Sequence, residues 1–152
     1  MATKHRGNEP EELALTTFIK LTRSVEAVMG RAFDRAPLPG GLTATQFGAL
    51  EALFHLGPMC QRELGSKILK TKGNISMVVE KLAGAGLVGR RRNRSDRRFQ
   101  EVYLTDRGQE LIASYFPRYA KAMAVEFSVL TSDEQSRLGE LCKRLGLKEN
   151  EK

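Results

Sequence analysis

The sequence predicts a mainly α-helical fold that contains one small β-hairpin. Apolar residues recur at steps of three and four near both ends of the chain, as in amphipathic helices. Two short helical patterns lie between them, and a pair of strand-like segments around an arginine-rich turn follows. With 152 residues, 41% of them hydrophobic, the chain is long enough for one core and too short for two independent domains. We therefore expect a single folding unit.

The N-terminal part of the chain is predicted to form two helices. The first runs from Glu11 to Phe33, where two apolar stripes lie side by side. So wide an apolar arc must be covered on more than one side, by its own subunit or by a partner. Two prolines and two glycines between residues 36 and 41 end this helix. Thr43 and Gln46 have the spacing of a capping box and predict a second helix that ends at Gly57.

Two shorter helices follow in the middle of the chain. The third is predicted from Gln61 to Leu69, and Thr71 then caps a fourth. Apolar residues of the fourth helix recur at i, i+4 and i+7, which places three of them on an inward face: Ile75, Val79 and Leu82. Two short helices joined by a tight turn are a helix-turn-helix candidate.

A β-hairpin and two further helices complete the prediction. The segments Leu87 to Arg91 and Phe99 to Leu104 are predicted strands, and the hairpin that they form is a wing. Thr105 caps a fifth helix that reaches Leu130 and is kinked at Pro117. A second capping box, at Thr131 and Glu134, opens a last helix that Gly146 stops. Residues 1–10 and 148–152 are expected to be disordered.

The positive charge of the chain is concentrated in this central segment. The net charge is +7, from 25 basic and 18 acidic residues. The segment from Cys60 to Thr105 holds eleven basic and four acidic side chains, so it accounts for the whole excess. A basic segment that includes a helix and a hairpin tip fits a nucleic-acid partner.

Polar side chains at the start of the fourth helix are candidates for base recognition. Lys72, Asn74 and Ser76 lie opposite the apolar face, and Gly73 allows close approach of the backbone. Asparagine can pair with adenine, and lysine can donate to guanine or phosphate. The alternative is a solvated start of a surface helix, which the adjacent wing makes the less favoured interpretation.

Six arginines between Arg90 and Arg98 form a narrow positive projection. Such a projection fits the minor groove, where the negative potential is strongest. A charge run is usually only a solvated face, but six arginines around one turn repel one another unless a polyanion or Asp96 relieves them. Asp96 either holds a neighbouring arginine or serves only as a turn residue.

Several other functional classes lack a supporting motif. The glycines at 84, 86 and 89 match G-x-G-x-x-G, but a helix precedes them and a strand follows, which is the reverse of a dinucleotide site. His55 has no nucleophile and carboxylate at a recognisable spacing, and the two cysteines are far apart. We expect no enzyme activity, cofactor or metal site. No segment resembles a signal peptide or a membrane span, so we expect a cytoplasmic protein.

From Leu42 to Leu111 the chain resembles the MarR family of bacterial regulators. The most specific features are GLV followed by arginine at Gly86 to Arg91, D-x-R at Asp96 and Arg98, and LT-x-x-G at Leu104 to Gly108. The resemblance implies a winged helix-turn-helix lobe at 42–105 within a single unit of 1–152, with dimerisation helices at 11–35 and 106–147.

The same resemblance implies a DNA-binding homodimer on a palindromic operator, most often a repressor. Arg98 would enter the minor groove, Asp96 would brace the wing, and the fourth helix would enter the major groove. Met77 departs from the family pattern, which often has a basic residue there. The expected DNA-binding residues are Thr71, Lys72, Gly73, Asn74, Ser76, Lys81, Arg94, Asp96, Arg97 and Arg98.

The stretch from Gly57 to Asn74 is similar to the subgroup that responds to quinones and phenolic compounds. The family binds effectors between the dimerisation helices and the DNA-binding lobe. Aromatic candidates there are Phe18, Phe47, Phe54, His55, Tyr115 and Tyr119, each of which could instead be an ordinary core residue. Cys60, near a helix start and Arg62, is a candidate sensor of oxidants or electrophiles, or inert filling.

Two other functions remain open at this point. A winged helix can serve as an interaction or architectural nucleic-acid-binding module without effector control. An architectural protein would bind palindromic and scrambled DNA alike, which separates it from a regulator. An enzyme is the third class and has the least support.

Overall fold

The computed structural model describes residues 6–68 and 72–148, without the side chains at positions 72 and 73. The described chain is mostly helical and has a small antiparallel sheet, as the sequence predicts. It divides into two compact units, residues 37–119 and residues 1–36 with 120–152. No helix of the described ranges is long and apolar enough to cross a membrane.

The unit formed by residues 37–119 contains the predicted helix-turn-helix. A short 3-10 turn, Pro39–Gly41, precedes α2 (Ala44–Leu56), and α3 (Gln61–Lys67) and α4 (Lys72–Gly84) follow. Thr43 caps α2 in a complete capping box with Gln46, as predicted. The predicted inward residues of α4 are indeed buried, and the core that they share includes Leu50, Leu64, Ile75, Val79 and Leu82.

The wing consists of β2 (Val88–Arg92) and β3 (Gln100–Leu104), which pair antiparallel from Val88 opposite Leu104 to Arg92 opposite Gln100. A third strand, β1 (Met59–Cys60), pairs with the other edge of β3. The sequence did not predict β1, because two residues after a proline are too short to show a strand pattern.

The wing joins the next helix, α5 (Asp106–Phe127), through a close backbone contact. Thr105 donates its backbone N–H to the Leu87 carbonyl at 3.1 Å and its hydroxyl to the Gly86 carbonyl at 2.6 Å. The same hydroxyl accepts from the backbone N–H of Gly108, which caps α5 as predicted. A Cβ at Gly108 would overlap the Leu87 carbonyl, so only glycine fits this junction. The LT-x-x-G motif therefore fastens the wing to α5.

The second unit contains α1 (Glu9–Arg35), the end of α5 and α6 (Ser132–Leu147). Thr131 and Glu134 cap α6 as predicted. Within this unit Glu126 accepts from Arg31, and Arg35 lies 3.4 Å away.

The helix ends of this unit correct three predictions. Residues 1–10 were expected to be disordered, but α1 begins at Glu9, because Asn8 and Glu11 form a capping box. The fifth helix ends at Phe127 rather than Leu130. The last helix passes Gly146 and ends at Leu147, followed by a left-handed Lys148. Residues 149–152 lie outside the described ranges.

Candidate nucleic-acid interface

The outward face of α4 combines polar residues with one exposed methionine. Asn74 and Lys81 are exposed and Ser76 is half-buried, on the side away from the buried Ile75. Met77 is 57% exposed. The predicted site residue Thr71, and the side chains of Lys72 and Gly73, lie outside the described part of the chain.

An open groove of about 220 Å³ separates this face of α4 from the start of α2. The α4 side supplies Asn74, Met77 and Lys81, together with Val78. The α2 side supplies its cap, Thr43, and the next turn, Thr45 and Gln46. The structure therefore brings two of the predicted α4 residues, Asn74 and Lys81, to one accessible surface.

The tip of the wing is shaped by Asn93, which the sequence places in the turn but which was not among the predicted site residues. Its side-chain oxygen accepts from the backbone N–H groups of Ser95 and Asp96 at 2.8 and 3.1 Å. Its own backbone N–H donates to the Phe99 carbonyl at 2.9 Å. This pattern is an Asx turn, for which an asparagine after a strand is the sequence signal.

Asp96 holds Arg98 in a fixed orientation. The carboxylate accepts from Nε of Arg98 at 3.0 Å, from Nη2 at 2.8 Å and from the backbone N–H at 3.1 Å. These hydrogen bonds lower the pKa of Asp96 and raise that of Arg98, because both charged forms are stabilised. The Arg98 side chain nevertheless remains 84% exposed. Of the two roles considered for Asp96, the structure shows the ion pair.

A second ion pair lies on the outer face of the sheet. Arg91 donates to Glu101 at 2.7 Å, and its guanidinium lies 4.5 Å from the centre of the Tyr103 ring. Asn93 also donates to Glu101, at 3.3 Å. Arg92, Arg94 and Arg97 are exposed and line one recess with Asn93. Their charges add to the positive potential of the tip.

Five of the six aromatic candidates come together between α2 and α5. Phe47 contacts Tyr119 at 4.7 Å between ring centres and Tyr115 at 5.2 Å. Phe54 contacts His55 at 5.0 Å. Phe47 and Tyr115 are buried, so they form the inner side of this cluster. Phe18, the sixth candidate, lies on α1 in the other unit and is 61% exposed.

Two residues beside this aromatic cluster, Phe116 and Glu51, were missed from the sequence. Phe116 contacts His55 at 4.6 Å, and Glu51 lies one helical turn before His55 on α2. Burial raises the pKa of Glu51, an effect that His55 partly opposes. Burial and the negative charge of Glu51 raise the pKa of Tyr119. The spacing of Glu51 and His55 at i and i+4 was the available signal.

Cys60 is half-buried at the end of β1, opposite Glu101 of β3, and precedes α3 as its N-cap residue. It makes no side-chain capping hydrogen bond. Its place among the site residues remains a prediction.

Comparisons with known proteins identify the family and the fold of the chain. The MarR family model matches residues 42–99. The uncharacterized HTH-type transcriptional regulator YkoM of Bacillus subtilis is 33% identical over 141 residues, which cover 92% of this chain and 91% of YkoM. The HTH-type transcriptional regulator MhqR of the same organism is 33% identical over 136 residues, 90% of this chain and 93% of MhqR.

A solved structure of the same fold is Sco3205 from Streptomyces coelicolor, a MarR family transcriptional regulator in complex with DNA. It superposes with a TM-score of 0.76 at 23% identity, over 93% of this chain and 89% of that one. This likeness confirms the predicted winged-helix fold. Because the MarR family model matches the winged helix and these two relatives match along nine-tenths of its length, the chain belongs to the MarR family of HTH-type transcriptional regulators.

Proposed function

We propose that the chain binds operator DNA with the outward face of α4 in the major groove and the wing tip in the adjacent minor groove. The observation that supports this most directly is Arg98, which Asp96 fixes in position while leaving its side chain 84% exposed. A guanidinium held in this way loses little side-chain entropy on entering a narrow groove.

The remaining contacts follow from charge and exposure. Exposed arginines beside Arg98, among them Arg94 and Arg97, can neutralise phosphates on either side of the groove. On α4, the exposed Asn74 can pair with adenine and Lys81 can reach a guanine or a phosphate. Thr71, Lys72, Gly73 and Ser76 belong to the same proposed face.

The second unit supports a homodimer. Every residue of α6 is exposed, including four leucines, and α1 exposes further large apolar side chains. Apolar faces of this extent are unusual on a monomer and fit an interface between two copies. The exposed residues concerned are Leu13, Leu15, Phe18, Val25, Leu138, Leu141, Leu145 and Leu147. A symmetric dimer would match a palindrome with half-sites about one helical turn apart.

A salt titration of binding tests the DNA proposal. The affinity of the dimer for a palindromic duplex selected by the chain should fall steeply as salt rises, and a scrambled duplex should bind much more weakly. Arg98→Ala should lower the affinity and reduce the slope against log salt by about one. Arg23→Ala removes the same charge from an exposed position on α1; as a dimer, checked by size-exclusion chromatography, it should leave both unchanged. Equal affinity for both duplexes would indicate an architectural module instead.

We also propose that a small aromatic, phenolic or electrophilic effector releases the regulator, a repressor, from its operator. The aromatic cluster of Phe47, Phe54, His55, Tyr115 and Tyr119 supports this, because aromatic rings in mutual contact beside the half-buried Glu51 offer both apolar faces and polar ends. An effector weakens DNA binding only if it binds the conformation that does not fit DNA more tightly than the conformation that does.

The pocket route and the thiol route need two probes, because catechol is not an electrophile. Catechol, kept reduced in the absence of oxygen, should weaken operator binding by the wild-type chain; if it occupies the aromatic cluster, Tyr119→Ala should lose this response and Cys60→Ala should keep it. Benzoquinone accepts a thiolate directly, with formation of a thioether as the quinone becomes a hydroquinone, so its effect should be lost in Cys60→Ala and kept in Tyr119→Ala. If catechol leaves operator binding by the wild type unchanged, phenolic control is refuted, and if benzoquinone does so, thiol control is refuted.

A further inference from the structure

The outward stripe of α4 contains one residue that its polar surroundings do not explain. Asn74, Met77 and Lys81 follow one another at i, i+3 and i+7, and all three line the groove between α4 and the start of α2. Met77 is large, apolar and 57% exposed. Its neighbours on the stripe are polar or charged.

The core does not require a methionine at this position. The inward face of α4 is already filled by Ile75, Val79 and Leu82, each at most 1% exposed. Met77 lies on the opposite side, where exposure of its side chain to water gives no gain in folding free energy. A role for Met77 must therefore come from what covers it when the chain is bound.

The major groove offers one apolar group at its base edges, the 5-methyl of thymine. A methionine side chain is flexible and polarizable, so it can adapt to a methyl whose position varies by fractions of an ångström. Three residues of helix advance about 4.5 Å along the axis, close to the spacing of neighbouring base pairs, about 3.4 Å. If α4 runs along the major groove, Asn74 and Met77 contact neighbouring base pairs.

We propose that Met77 is a specificity-determining residue that packs against a thymine methyl in each operator half-site. The inference rests on the proposed function, because α4 must lie in the major groove. It adds a sequence preference to that function. At one position of each half-site, next to the base that Asn74 contacts, the chain should prefer thymine to a pyrimidine without the methyl.

Uracil scanning of the operator tests this directly. The full-length chain first selects its duplex from a random pool, and each thymine of that duplex is then replaced singly by deoxyuridine, which lacks only the methyl. One position per half-site should lose affinity about threefold to fivefold, the value expected for one buried methyl. All other thymines should tolerate the replacement.

Variants of the chain then identify the residue that contacts the methyl. Met77→Ala should bind the thymine duplex more weakly and no longer distinguish it from the uracil duplex, whereas Met77→Leu should retain most of the difference. Arg98→Ala is the matched control, because it should weaken binding to both duplexes and leave their ratio unchanged. Circular dichroism of Met77→Ala should match the wild type, since the residue is outside the core.

Each failure has a distinct meaning. If the chain selects no duplex, the proposed function is wrong and this inference is wrong with it. If the wild type binds tightly but tolerates uracil at every position, only the Met77 inference is overturned. The same conclusion follows if Met77→Ala keeps the wild-type ratio of thymine to uracil affinity.

Discussion

Substitution of Gly108 by alanine should destabilise the winged helix far more than a glycine-to-alanine change normally does. The new Cβ would lie 2.9 Å from the Leu87 carbonyl carbon and closer still to its oxygen, below the 3.0 Å that real Cβ contacts keep. The atoms in the way are backbone, so no rotamer change can relieve the overlap. The oxygen must withdraw by more than about 1 Å to reach van der Waals distance.

That withdrawal breaks the junction between the wing and α5. The first hydrogen bond to be lost is the one that the Thr105 N–H donates to the Leu87 carbonyl at 3.1 Å. The Thr105 hydroxyl donates to the Gly86 carbonyl and accepts from the Gly108 N–H, and these two hydrogen bonds are strained or lost with it. Three hydrogen bonds at about 1 kcal/mol each give a loss of about 3 kcal/mol. Better helix propensity of alanine offsets about 1 kcal/mol, so the expected net loss is about 2 kcal/mol.

Urea unfolding at one fixed protein concentration measures this loss, since dimerisation makes stability depend on concentration. Gly84→Ala is the matched control in the same unit, because a Cβ there meets nothing within 4 Å. It should be neutral or slightly stabilising. If Gly108→Ala unfolds at the same urea concentration as Gly84→Ala, the close approach of Gly108 to Leu87 does not hold the junction together.

Three smaller perturbations test other contacts. A Cβ at Gly89 would lie 2.5 Å from Cζ and the hydroxyl oxygen of Tyr103, a movable side chain, so Gly89→Ala should cost less than Gly108→Ala and become almost neutral in a Tyr103→Ala background. Burial raises the pKa of Glu51, so the folded state holds that proton more tightly and stability is lost as pH rises through the folded pKa. Glu51→Gln should therefore raise the free energy of unfolding at neutral pH and change it little well below pH 4.5, the ordinary pKa; a gain of equal size at both pH values would contradict this. Thr131→Ala removes the side-chain acceptor for the Glu134 N–H and should cost about 1 kcal/mol in thermal unfolding, while an unchanged melting temperature would show that α6 does not depend on its cap.

Helix starts could be predicted from the sequence to the residue, because a capping box is a local interaction between a side chain and the next turn. Thr43 and Thr131 both cap the helices expected of them. The same signal was present at Asn8 and Glu11, but the polar composition of residues 1–10 was interpreted as disorder instead. The spacing of the capping box predicts the start of α1 better than the average composition of these residues does.

Features that depend on tertiary contacts could not be predicted in the same way. The strand Met59–Cys60 exists only because β3 offers its free edge. The role of Asp96 was undecided because an aspartate two residues before an arginine fits both a turn and an ion pair, and only the turn geometry set by Asn93 brings the two side chains together. Glu51 belongs to the aromatic cluster through its place on α2, which required knowing that α2 packs on α5.

The direction in which Asp96→Asn changes the affinity for DNA shows whether Asp96 acts through its charge or by orienting Arg98. Asp96→Asn and Glu63→Gln each remove one negative charge from the basic segment, so charge alone predicts tighter DNA binding for both. The two-point hydrogen bonding of Arg98 by Asp96 predicts the opposite for Asp96→Asn, because an amide has one oxygen and cannot accept at both positions. We expect Glu63→Gln to tighten binding slightly and Asp96→Asn to weaken it, with the loss absent in an Arg98→Ala background. Equal tightening by both variants would mean that Arg98 reaches the groove without being held, and that Asp96 acts on DNA only as a charge.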